Sequence, residues 1–292
     1  MKVLVAGWFS FELMGASAGD LLVRDLACEW LEEANRDYDV ALAPPFEDGV
    51  DWRAVDPLRY SDLVFVCGPI GNGPPVTDLL ERFAHARAVG LNLTMLHRLE
   101  DWNPFHLLWE RDSSRTARPD LALLAPAPRT PVVGVILIDA QPEYGGLDLH
   151  SRADQAIAQL LETSDAARVS IDTRLDVVNA SGLRTPGEVE ALVARMDAVV
   201  TTRLHGLVLA LKNGVPALAI DTVAGGAKVT RQAEALGWTT VLAAESLDER
   251  TLADALSECF TEEARSRARA VAPRAAAALA VVREQFTAAF GG

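Results

Sequence analysis

Short, uninterrupted apolar runs recur along the chain, each followed by a longer segment with helical spacing. No other feature limits the fold as much. KVLVAG at the start gives way to GDLLVRDLACEWLEEA. DVALA and DLVFVCG precede PPVTDLLERFAHARAVG, and LNLTML closes this first series. Apolar runs without polar alternation suit strands covered on both faces, and intervening helices supply the cover. The pattern predicts α/β architecture with parallel sheets.

Between His97 and Pro131 the alternation fades into an aromatic, charge-rich and proline-containing stretch ending in APAPRTP. It then resumes. PVVGVILIDA, ARVSIDT, DAVVTTR, VPALAID and TTVLAA read as strands. HSRADQAIAQLLETSD, TPGEVEALVARM, HGLVLALKNG and AKVTRQAEALGW read as helices, and two more helices finish the chain. Thr185, Pro186 and Glu188 carry the signature of a capped helix start, and Gly214 that of a helix stop. APAPRTP is therefore read as a linker. Residues 1–127 and 128–292 are expected to form two Rossmann-like domains with parallel sheets facing an interdomain cleft.

Lys and Arg total 27 against 41 Asp and Glu, a formal charge of −14 over 292 residues. Such a surface repels nucleic acid and anionic membrane. It also requires any anionic ligand to be held by a locally positive site. Three scattered cysteines, Cys28, Cys67 and Cys259, have no metal-ligand spacing and read as reduced thiols. MKVLVAGWFS is too short for a signal-peptide core, and no window approaches a membrane span. A cytoplasmic protein is expected, and a homo-oligomer is compatible with the sequence.

The richest stretch is TTRLHGLVLALKNGVPALAID, Thr201 to Asp221. A strand delivers Arg203 to its carboxyl end, and His205 and Gly206 open the next helix. Ligands of open α/β sheets sit at such junctions, where helix amides face an anion. Arg203 offers a bidentate grip on phosphate or carboxylate, and His205 a hydrogen bond or a proton. Gly206 lets a ligand approach the backbone. The plainer reading gives Arg203 a surface carboxylate and His205 a helix-capping role.

These residues resemble the signature segment of the polysaccharide pyruvyl transferase family, in which an Arg-Leu-His-[Gly/Ala] tetrad, here Arg203, Leu204, His205 and Gly206, opens a helix. The first loop, DLVFVCGP, TPGEVEALVARMDAVV and Lys228 resemble it more loosely. The resemblance implies a two-domain fold like that of GT-B glycosyltransferases. It also implies transfer of a pyruvyl group from phosphoenolpyruvate to sugar hydroxyls, with a cyclic ketal formed and phosphate released. In that scheme phosphoenolpyruvate is the donor substrate and no further cofactor is needed. Arg203, Leu204, His205 and Gly206 hold the donor, with His205 as general acid.

Other positions follow from the same likeness. Gly19 and Asp20 match a Gly-Asp pair of the family's first loop, although Ala16 and Ser17 stand where an asparagine is common. Asp20 is then a base or an acceptor-orienting residue; otherwise it is an N-cap. Gly68 and Asn72, in CGPIGNGPP, line the acceptor side or simply make a turn. One departure stands out. The family often has an arginine after the first strand of the second domain, whereas VVGVILIDAQPEYGG has Asp139 and no arginine. Arg174 is the candidate substitute and Lys228 a further cation. Two other readings stay open: a nucleotide-sugar glycosyltransferase and a non-catalytic binding protein. Trp102, Phe105, His106 and Trp109 are read as packing a helix onto its domain. His85, His97 and His150 lack a supporting constellation, and no metal is expected.

Overall fold

The computed structural model describes residues 1–12, 15–126, 129–139, 147–226 and 228–290. The chain divides into two compact units, Met1–Pro128 and Arg129–Gly292. Parts of the readings above fall on 13–14 in the first loop, 127–128 in the linker, 140–146 after VVGVILID, and 227 beside Lys228. All of these lie outside the described residues.

Unit 1 is a five-stranded parallel sheet in the order β2-β1-β3-β5-β7. Its strands are β1 (Lys2–Gly7), β2 (Tyr38–Val40), β3 (Tyr60–Val66), β5 (Arg87–Leu91) and β7 (Leu107–Trp109). The short β4 (Pro69–Ile70) and β6 (Thr94–Met95) pair separately. α1 (Ala18–Glu33) follows β1 and packs Val23 and Ala27 onto Val3 and Val5. α2 (Val76–Arg82) packs Val76 and Leu79 with Leu4, Ala6, Leu63 and Phe65 on the opposite face. Successive residues of each strand thus serve opposite cores, which is why the runs are apolar throughout.

Two sequence expectations are corrected here. The helix expected over PPVTDLLERFAHARAVG ends at Arg82, and RAVGL is β5, the central partner of β3. Ala88 and Val89 are buried on alternate faces, a periodicity hidden by the preceding helical spacing. The expected helix carrying Trp102 to Trp109 is absent. Leu107–Trp109 is the edge strand β7, Phe105 is buried in the core, and Trp102 packs edge-on against His97.

Unit 2 is a second parallel five-stranded sheet, ordered β12-β11-β10-β8-β9. β8 (Val132–Ile136), β9 (Ala167–Ser170), β10 (Ala198–Thr201), β11 (Ala217–Asp221) and β12 (Val241–Ala243) alternate with helices. α3 (His150–Thr163) and α7 (Glu249–Cys259) cover one face. α4 (Pro186–Val193), α5 (Leu204–Lys212), α6 (Lys228–Leu236) and the start of α8 (Glu262–Phe290) cover the other. Thr185 caps α4 and Glu188 completes its capping box. Chain order reverses between β8 and β10, so the crevice at their carboxyl ends is the topological switch point. In unit 1 the equivalent place lies beyond β1 and β3.

Candidate functional site

At the unit 2 switch point, β10 ends at Thr201 and α5 begins at Leu204. The Thr201 hydroxyl donates to the Ile136 carbonyl at 2.8 Å and accepts the Arg203 amide at 2.9 Å. The Thr202 hydroxyl accepts the Ile138 amide at 3.0 Å. These bonds lock the ends of β8 and β10 together and fix where α5 starts. Arg203 is the N-cap but supplies no side-chain cap, and the first turn of α5 has no acidic residue. The leading amides and the positive end of the helix dipole thus face the crevice without an internal anion.

Arg203 is mostly buried, and its Nη1 donates to Asp172 Oδ1 at 3.2 Å and to Thr173 Oγ1 at 3.1 Å. Asp172 also accepts from the Arg174 amide at 2.9 Å and from its guanidinium. Burial works to raise the Asp172 carboxyl, but the Arg174 amide and guanidinium and the Ala180 amide outweigh it and hold it below the usual range. Asp139 pairs with Arg174 Nη1 at 2.9 Å. The carboxylate that replaces an expected arginine is therefore neutralised locally. Arg174 is committed to two carboxylates instead of presenting a free second grip. Two guanidiniums and two carboxylates balance, which leaves the α5 amides, His205 and the spare nitrogens of Arg203 as the positive features.

His205 is exposed and has no hydrogen-bond or ion-pair partner among the described residues. Leu204 is half-buried against the core. Gly206 is buried, and a Cβ there would lie 2.2 Å from Thr201 Oγ1 and 2.9 Å from Ile136 Cγ2. The glycine is therefore required for helix–strand packing. Lys228 opens α6. Asp221, at the end of β11, secures that helix by accepting from the Thr230 amide at 2.9 Å and hydroxyl at 2.8 Å.

In unit 1, an open crevice of about 440 Å³ at the strand ends is lined by Trp8, Ser17, Asp20, Gly68 and Arg111 among others. Ser17, not Asp20, is the N-cap of α1. Asp20 is the third helical residue, and its Oδ2 accepts the Ser17 amide and hydroxyl, each at 2.7 Å. Its Oδ1 has no partner among the described residues. Gly19 lies in the same first turn, and Asn72 is exposed in the turn before α2. Gly68 has φ +78°, and a Cβ there would come 2.0 Å from Trp8 Nε1. The indole therefore lies against its backbone, as only glycine permits.

One constellation escaped the sequence reading. His150, almost wholly buried, has Nδ1 2.5 Å from Asp148 Oδ1 and Nε2 2.9 Å from Thr222 Oγ1. The group pins the start of α3 to the segment after β11. The Asp-Leu-His spacing at a helix start was its sequence signal, but the partner Thr222 is 72 residues away.

Residues 119–222 match the family model described as polysaccharide pyruvyl transferase. That span runs from the return after β7 through β8, α3, β9, α4, β10 and α5 to the end of β11, and contains Arg174 and Arg203 to Gly206. No curated protein matches the chain. Similar solved structures include the calicheamicin glycosyltransferase CalG4, at 14% identity over 93% of both chains with a TM-score of 0.34. The spinosyn rhamnosyltransferase SpnG is 14% identical over 97% of this chain and 100% of its own, at 0.37. MurG of Acinetobacter baumannii is 8% identical over 94% and 95%, at 0.34. Scores this low place no constraint on function. No helix among the described residues is long and apolar enough to cross a membrane.

Proposed function

We propose that the chain is a transferase that moves the pyruvyl group of phosphoenolpyruvate onto two hydroxyls of a sugar or glycan, forming a ketal. The observation that carries this reading is the uncapped, acid-free start of α5, with Arg203 and His205 on it, inside the segment that matches the family model. Phosphoenolpyruvate is small and anionic. The α5 amides, Lys228 and the free nitrogens of Arg203 hold its phosphate and carboxylate.

The chemistry needs one proton donor and relief of charge on the leaving phosphate. His205 protonates the methylene carbon, which becomes a methyl group. An acceptor hydroxyl bonds to C2 and gives its proton to water. A second hydroxyl then bonds to C2 as the C2–O bond to phosphate breaks, and phosphate leaves with that hydroxyl's proton. No metal is invoked. The contrast between the two helix starts supports α5 as the anion site. α1 already carries its own carboxylate at its amino end, whereas α5 carries none.

The test is incubation of the protein with phosphoenolpyruvate and a panel of glycosides. Phosphate release together with a new ketal methyl signal in the NMR spectrum supports the reading. A thermal shift with nucleoside diphosphates and none with phosphoenolpyruvate refutes it.

A further inference from the structure

The α1 face of unit 1 holds an open groove of about 540 Å³, separate from the crevice at the strand ends. Its origin is topological. The crossover from β1 to β2 places α1 on this face, while the crossovers from β3 to β5 and from β5 to β7 run the opposite way. Right-handed connections send those to the α2 face. One helix spans about two strands, since helices are ~10 Å across and strands ~4.8 Å apart. α1 therefore covers β1 and β3 and leaves the β7 edge open, with Val89 and Leu91 of β5 buried at the groove's base. Strand register lays the floor in rows, Val64–Val89–Leu107 and then Leu91–Trp109. Leu107 is 39% and Trp109 52% exposed.

Each end of the groove carries two guanidiniums on one carboxylate. At the amino edge, Asp62 accepts from Arg36 at 2.8 Å and from Arg87, its register neighbour, at 2.6 Å. At the carboxyl end, Glu110, fully buried, takes Arg115 at 2.9 Å and Arg118 at 3.4 Å. Both ends therefore hold an excess positive charge in a protein of net charge −14. Arg36 Nη1, Arg87 Nη1 and Arg118 Nη2 have no partner among the described residues.

We propose that this groove binds a linear amphipathic anion, an alkyl-type chain with a carboxylate or phosphate head. The chain lies along the β5–β7 floor against Trp30 and Trp109, and the head meets one arginine pair. Charge selects this occupant over an apolar helix of a second copy. The exposed stripe of α8, Leu279, Val282 and Phe286, comes with Arg274 and Arg283 against Glu284 alone, and would set arginine beside arginine.

Calorimetry on the full chain, below micelle formation, tests this with decanoate, decyl phosphate, decyl glucoside and decyltrimethylammonium. The expected result is one site per chain, with one or both anions bound at least about tenfold tighter than the neutral and cationic chains. The preferred anion tells carboxylate from phosphate. Leu107→Trp, which fills the groove from an exposed position, should weaken binding by at least about tenfold. Arg118→Gln or Arg87→Gln should shrink the preference for anions, as should added salt. Absence of saturable binding, equal affinity for all four heads, or full affinity in Leu107→Trp would overturn the proposal. So would a wild-type dimer that Leu107→Trp converts to monomer, because a second copy would then cover the groove. The arginine variants decide the matter should Leu107→Trp fail to fold.

Discussion

Arg203 Nη1 stands 3.2 Å from Asp172 Oδ1, on a carboxylate that Arg174 also holds. One carboxylate thus fixes the guanidinium at the mouth of α5 while leaving its other nitrogens unused. Arg203→Ala should lower kcat/KM for phosphoenolpyruvate by roughly 10- to 100-fold, as expected for a lost charged hydrogen bond of ~1.5–3 kcal/mol. Asp172 keeps Arg174 as partner, so the thermal midpoint should move little. Arg203→Lys retains charge but not the fork, and should recover only part of the loss. Phosphate-release kinetics read both; wild-type kinetics in Arg203→Ala would remove Arg203 from the donor site.

His205 is exposed and has no hydrogen-bond or ion-pair partner among the described residues, so its replacement separates chemistry from folding. His205→Ala should abolish detectable ketal formation while the urea midpoint stays within about 0.5 kcal/mol of wild type, the range usual for exposed positions. Donor binding by thermal shift should survive, weakened at most by the loss of one hydrogen bond. Retained turnover would move the proton donor elsewhere, and a large loss of stability would make His205 structural.

The alternation of apolar runs and helical segments made both parallel sheets legible, since strands buried on two faces cannot disguise themselves as polar. RAVGL was missed because Phe83, Ala86 and Val89 continue a helical spacing beyond Arg82, while the register with β3 that makes it a strand is a long-range property. Leu107–Trp109 was missed because an edge strand with one bare face lacks the two-sided apolar run. At the site, the Arg-Leu-His-Gly run was visible in one stretch. The clasp of Asp172, Arg174 and Asp139 was not, because it joins loops that follow two different strands. The Asp148–His150–Thr222 group was hidden for the same reason.

Gly206 is a packing residue, and this leads to a stability effect without any ligand. The methyl of Gly206→Ala would meet Thr201 Oγ1 at 2.2 Å, against a hydroxyl already bonded to Ile136 and Arg203. Relief requires α5 to shift from β10, which should cost about 1–3 kcal/mol, as overpacking of a filled core does. Trp238, buried and the sole tryptophan of unit 2, provides the readout. Its fluorescence transition in urea should move to lower denaturant in Gly206→Ala. An unchanged midpoint with lost donor binding would instead restore the ligand-approach role.

Unit 1 should be the acid-sensitive part of the chain. Burial opposes ionisation of Glu110, but hydrogen bonds from Arg115, a backbone amide and Ser113 overcome it and bring the carboxyl down to about 2 from an ordinary 4.5. Asp62 is likewise held below its ordinary value against burial by Ser61, Arg87 and Arg36. A carboxylate whose folded-state pKa lies below its unfolded value binds fewer protons when folded. Its contribution is therefore complete above the unfolded pKa and fades as pH falls. For Glu110 the loss should run from about pH 4.5 down to about pH 2. Glu110→Gln removes that contribution. It should lower stability near neutral pH by about 1–3 kcal/mol, since the two arginines lose a charged acceptor that nothing else in the groove replaces. It should also flatten the slope of stability between those pH values. Urea midpoints measured across the acid range check both statements, and an undiminished slope in Glu110→Gln would shift the acid sensitivity to Asp62 and its neighbours.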